Sequence, residues 1–239
     1  MTFDRRKARN DDPERHDHLL ARPTSPNQTA FTAGLHPLEL DGQRDGLCYV
    51  PVSSEPDTPS PLVVMLHGAS STAHNGLAPL LPLADRHGLL LLAPDSRLRT
   101  WDVIMGSYGP DVRFLDQALT MLFQRHKVDM AHIAIGGFSD GASYALSLGL
   151  SNGDLFTHII AFSPGFMRPA RRQGKPRVYI SHGKFDTVLP IDRCSRVIVP
   201  RLEREGYEVR YHEFNGIHTV PRSIAHEGVS WFLGKHDHQ

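Results

Sequence analysis

The sequence has little cysteine, no excess of either charge and no long apolar run. Cys48 and Cys194 are its only cysteines among 239 residues. That is too few for a disulfide framework or a cysteine-rich metal site, and two reduced thiols in a cytoplasmic protein are the expectation. Lys plus Arg and Asp plus Glu number 26 each. Such a balance argues against nucleic acid or an anionic membrane surface as partner, because both select a basic footprint. No stretch approaches the apolar length of a membrane-spanning helix, so stable membrane insertion is not expected. The first residues, MTFDRRKARNDDPERHDH, carry adjacent arginines, but no apolar segment follows and acids are interspersed. Neither a secretory signal nor a transit peptide is expected there.

What is present fits one α/β domain: 40% hydrophobic and 22% charged residues in a chain of domain length. Residues 1–32, charged and then rich in Pro, Ser, Thr and Asn, read as a flexible N-terminal tail, mobile or loosely docked, with a single domain over 33–239. LHPLEL and GLCYVPV flank DGQRDG, whose Asp-Gly pairs predict a hairpin. Then the pattern changes. PLVVMLHG, LLLLAPDS, HIAIGGFS, HIIAFSPG, RVYISHG and EVRYHEF are short apolar runs, most of them closed by Gly, Pro, Ser or Asp. Amphipathic stretches separate them, among them PDVRFLDQALTMLFQRH, where Val112, Leu115, Leu119 and Leu122 recur at helical spacing. Apolar strands alternating with helices predict a mostly parallel, doubly wound sheet with an N-terminal antiparallel hairpin.

In such sheets the loops after the strands converge on one edge, where ligands bind. A serine, an acid and a histidine all fall there. Ser139 lies between the run HIAIGG and the small residues GASYAL, with Gly137 two before it and Gly141 two after. A Gly-x-Ser-x-Gly match is common by itself; the strand-turn-helix context gives it meaning. A sharp turn thrusts the hydroxyl into the open, crowds its neighbours, and aims helix N-terminal amides at a developing oxyanion. Ser163 in AFSPG is a decoy: Ala161 stands where the first glycine belongs, and Pro164 has no N–H.

A serine needs a base, and the base an orienting group. Of fifteen histidines, His218 follows the last predicted strand; His212 lies within that strand and reads as structural, and His67 reads as shaping the first crossover loop. Asp186 follows the preceding strand, giving the chain order serine, acid, histidine of α/β-hydrolases. Asp192 competes, but its place after Pro190 suits a helix N-cap. The amides of Ala69 and Asp140 are the candidate oxyanion donors. A carboxylate at Asp140 aimed into the hole would oppose the oxyanion by about 4 kcal/mol at 4 Å and an effective dielectric near 20, so its side chain is expected to turn away. Trp101, Ile104 and Met105 sit in a loop reaching the same edge; they are candidate substrate contacts, with packing beneath the loop as the equal alternative. His-x-His pairs at His16 and His18, and at His236 and His238, offer too few ligands for a preformed metal site; no metal is expected.

PLVVMLHGASS, RTWDVIMGSYGPDVRFLDQAL, IAIGGFSDGASYAL, HGKFDTVLPID and YEVRYHEFNGIH together resemble the phospholipase/carboxylesterase branch of the α/β-hydrolases, which includes acyl-protein thioesterases. The resemblance runs from about Leu35 to Leu233. It implies a serine esterase with Ser139, Asp186 and His218 as triad and no cofactor. A small-molecule ester is the expected partner, and a homodimer is left open. It departs at Asp140, where relatives often carry Gln, and at Ala69, where they often carry Leu. A thioesterase using the same triad and a non-catalytic α/β-hydrolase-like binding protein are the alternatives.

Overall fold

The computed structural model describes residues 17–55 and 57–235. Its centre is an eight-stranded sheet in the order β1-β2-β4-β3-β5-β6-β7-β8. Strands β1 (Gly34–Pro37) and β2 (Gly46–Val50) form the expected antiparallel hairpin, and β2 runs antiparallel to β4 (Leu90–Pro94). From β4 onward every pairing is parallel, through β3 (Ser60–Leu66), β5 (Val128–Phe138), β6 (His158–Phe162), β7 (Arg177–Gly183) and β8 (Val209–Phe214).

The pleat explains why the central strands are apolar throughout. Successive side chains point to opposite faces, and each face carries its own helices. Leu62, Val64 and Leu66 of β3, with Ile133 and Ile135 of β5, join a core with helices α3 (Asp102–Met105), α4 (Pro110–Arg125), α5 (Asp140–Ser151) and α6 (Ser195–Arg204). Val63, Met65 and Ala134 face the other way, against α1 (Ala73–Leu77), α2 (Leu81–His87) and α7 (Arg222–Phe232). Neither face of these strands meets water, so alternation with polar residues has no place in them. The periodic residues of α4 are buried as their spacing predicts: Leu115, Leu119 and Leu122 are fully enclosed.

Of the two forms expected of the N-terminal segment, residues 17–32 take the docked one, lying along α4 and the end of α5; residues 1–16 fall outside the described residues. The Asp116 carboxylate accepts the amides of Leu20 and Ala21 at 2.6 and 2.8 Å. Asn152 accepts from the Leu19 amide at 2.9 Å and donates to the Asp17 carbonyl at 2.7 Å. Leu19 is fully buried. A polar segment without secondary structure of its own is thus held by side chains of two helices, which composition could not reveal. Asp192, in turn, does not cap α6. It sits in a 3-10 turn at Ile191–Arg193 and pairs with Arg196 at 2.7 Å, while the N-cap position falls on Cys194.

Candidate active site

Ser139 joins the end of β5 to the start of α5 with φ 59° and ψ −120°. A non-glycine residue with positive φ costs on the order of 1–3 kcal/mol and persists only where its surroundings enforce it. Here they do. The Ser139 amide donates to the Phe162 carbonyl at 3.0 Å, and the flanking glycines let α5 press against the end of β3. A Cβ on Gly141 would stand 2.1 Å from the Leu66 carbonyl oxygen, and one on Gly137 would stand 2.5 Å from the Gly141 carbonyl carbon. Any side chain at either position pushes the turn apart.

Three strand-end residues form one hydrogen-bonded line. The Ser139 hydroxyl donates to His218 Nε2 at 2.9 Å, and His218 Nδ1–H donates to Asp186 Oδ2 at 2.6 Å. Phe138 packs against the imidazole with ring centroids 4.6 Å apart. The Asp186 side chain is fully enclosed, and its Oδ1 accepts the amides of Val188 and Leu189 at 2.9 and 2.8 Å. Buried charge is tolerated only with such partners. The loops bearing Asp186 and His218 meet at Gly183, where a Cβ would come within 2.4 Å of the Gly216 carbonyl oxygen.

A further histidine, overlooked in the sequence, completes this arrangement. His182 is fully buried at the end of β7. Its Nε2–H lies 2.8 Å from the Leu189 carbonyl and 3.3 Å from Asp186 Oδ2, and its Nδ1 accepts from the Ser195 hydroxyl at 2.7 Å. Burial lowers its pKa, against the opposing pull of the Leu189 carbonyl and the Asp186 carboxylate, and its ring bridges Ser195 and the acid's own loop. The signal was present in HGKFD: a histidine ending the strand four residues before the acid.

The turn after β3 supplies the facing wall. His67 shapes it as expected. Its Nδ1–H donates to the Gly68 carbonyl at 2.7 Å and its Nε2 accepts the Ser96 amide at 2.9 Å, while burial lowers its pKa. Ser70, with φ 55°, tightens the turn. The amides of Ala69 and Asp140 have no acceptor among the described residues. The Asp140 carboxylate accepts the Thr100 hydroxyl at 2.6 Å and makes no hydrogen bond to the Ala69 amide.

The expected substrate contacts fare differently. Trp101 is 1% exposed; it stacks on Tyr144 with centroids 5.0 Å apart and donates its indole N–H to the His67 carbonyl at 2.9 Å. Of the two readings the sequence left open for it, this burial favours packing beneath the loop. Ile104 packs partly buried against the core, and Met105 remains exposed at the end of α3. Phe185, Val188 and Ile217, exposed apolar side chains within two positions of Asp186 or His218, were not among the residues singled out from the sequence. Two clefts of about 1020 and 920 Å³ lie elsewhere, one under residues 23–33 and one between β8 and α7. Among the described residues, no group of three or more His, Cys, Asp or Glu side chains is placed to hold a metal ion, and no helix is long and apolar enough to cross a membrane. His16, His236 and His238 lie outside the described residues.

The fold is that of the α/β-hydrolases. Esterase PE8 is 24% identical over 79% of this chain and 97% of its own, with a TM-score of 0.65. An S-formylglutathione hydrolase from Agrobacterium tumefaciens is 18% identical over 90% of this chain and 99% of its own, with a TM-score of 0.63. A fluorophosphonate-binding serine hydrolase of Staphylococcus aureus reaches a TM-score of 0.68 at 14% identity, covering 85% of this chain and 99% of its own. No protein-family model and no curated protein sequence matches the chain. At these identities the likeness is one of fold.

Proposed function

We propose that the protein is a serine hydrolase that cleaves carboxylic esters through an acyl-enzyme. The observation that carries the reading is the unbroken hydrogen-bond line from Asp186 through His218 to Ser139, with the serine on a strained turn. His218 Nε2 takes the Ser139 proton as Oγ attacks the ester carbonyl. Asp186 holds the imidazole and stabilises its cation. The carbonyl oxygen, now an oxyanion, receives the amides of Ala69 and Asp140. His218 then protonates the departing alcohol, and water activated by the same nitrogen releases the acid and restores Ser139.

The neighbours in fold support this reading, since they include esterases and a fluorophosphonate-binding serine hydrolase. Phe185, Val188 and Ile217 offer an apolar rim to the acyl or alcohol group. The same residues serve a thioester, and S-formylglutathione hydrolases are among the neighbours, so the test includes both substrates. Hydrolysis of p-nitrophenyl esters and of thioesters with matched acyl chains is measured for the wild type and for His218→Ala. The account predicts turnover that His218→Ala reduces by about 10⁴-fold or more. Full turnover in His218→Ala would sink the assignment.

A further inference from the structure

Residues 99 to 101, three in succession, each bind one of the two turns that carry the proposed oxyanion donors. The Arg99 carbonyl accepts the Ser70 amide at 2.7 Å, one residue after Ala69. The Thr100 hydroxyl donates to Asp140 Oδ2 at 2.6 Å, on the residue whose amide is the other donor. The Trp101 indole donates to the His67 carbonyl at 2.9 Å, two residues before Ala69. Thr100 is 8% exposed and Trp101 1%; the indole bond to His67 is buried and the Thr100 bond to Asp140 partly so. The segment is anchored in turn by the Ser96 amide on His67 and by the Ser96 hydroxyl on the Leu98 carbonyl, at 2.9 and 2.7 Å.

We infer that the 99–101 segment is a brace that sets the separation of the two donor amides, and that Thr100 and the Asp140 side chain are positioning residues for the oxyanion hole. This rests on the proposed function. The brace touches the β3 turn through a backbone carbonyl and an indole. Among the described residues, Thr100 is the side chain that ties it to the Asp140 carboxylate. The arrangement also explains an acid next to a site of developing negative charge. Bonded to Thr100, the carboxylate is held in a fixed direction and is itself the anchor. Oxyanion donors act through preorganisation, so an error in their spacing falls on the transition state rather than on substrate binding.

The test compares Thr100→Val, which keeps shape and removes the donor, with Thr100→Ser, which keeps the hydroxyl, and Asp140→Asn, which keeps an oxygen acceptor. Rates are referred to the sites titrated to completion by a fluorophosphonate, so partial misfolding does not enter. Thr100→Val is expected to lower kcat about 10- to 100-fold, the effect of misplacing a catalytic group by up to about 1 Å, with KM unchanged. Affinity for a trifluoromethyl ketone should fall in proportion. In that adduct Ser139 Oγ bonds to the ketone carbon, its proton passes to His218, and the carbonyl oxygen becomes the oxyanion. Thr100→Ser should restore most of what Thr100→Val loses, and Asp140→Asn should lose less than Asp140→Ala. If Thr100→Val does not fold, Asp140→Ala removes the acceptor instead and is read the same way. Unchanged kcat and ketone affinity, or a lowered melting temperature alone, would overturn the brace while leaving the nucleophile intact. Failure of the wild type to react with fluorophosphonate would instead remove the proposed function beneath it.

Discussion

At the residue scale the centre of the molecule is a serine held where serine is uncomfortable. Its positive φ is sustained by one carbonyl and two glycines, and strain enforced in this way marks sites where geometry matters more than stability. Ser139→Ala is expected to abolish turnover while leaving the melting temperature unchanged or raised, as kinetics and thermal unfolding on one preparation would show. His182 makes a complementary prediction. His182→Leu removes the donor beside Leu189 and Asp186 and the acceptor for Ser195. Leaving buried polar groups unpaired costs about 1–3 kcal/mol each, so both stability and kcat should fall. Retention of both would show that the Asp186 loop stands without it. Ser139, His218 and Asp186 could be grouped from the sequence because each follows a strand and their chain order is informative, and the structure brings the three side chains into hydrogen-bond contact. For Trp101 the sequence left ligand contact and packing equally open. An aromatic residue in a loop at the active edge fits either reading until Tyr144, on a helix more than forty positions away, is seen stacked upon it.

Among the elements, α4 and α5 matter most to the site, one as support and one as its platform. Leu119→Ala in α4 should cost about 2–5 kcal/mol, as for other fully buried leucines, shown by denaturant unfolding with an unchanged m-value. Residues 17–32 belong to the same layer, since Asn152 at the end of α5 clasps them. Asn152→Ala should expose that segment to limited proteolysis before the body unfolds; equal protection in mutant and wild type would show that the clasp is dispensable. The helices and strands were readable from periodicity because burial on both faces imposes it. The docked segment was not, since its binding energy resides in Asp116 and Asn152 rather than in its own composition.

For the whole molecule, buried histidines set the response to acid. Burial lowers His126 and His158 to about 4, and it lowers His67 and His182 in the same direction. A depressed histidine stays neutral in the fold while the unfolded chain takes up a proton below about pH 6.5. The stabilisation is therefore complete above that value and is lost as pH falls toward 4. Asp111, raised by burial to about 6, works the other way: its ionisation penalises the fold at higher pH and is relieved over part of the same range. Burial raises Asp102 in the same direction as Asp111. With four histidines against these two acids, the melting temperature should fall from pH 7 to pH 5, and His158→Gln should flatten the slope. A flat profile in the wild type would contradict this balance.

The most direct test of the central claim is the mass of the protein after reaction with a fluorophosphonate, followed by mapping of the labelled peptide. The account predicts one adduct per chain, on Ser139, formed slowly in His218→Ala and absent in Ser139→Ala. A folded wild-type protein that takes no label, or takes it elsewhere, would contradict a competent nucleophile at this turn and favour a binding role for the fold.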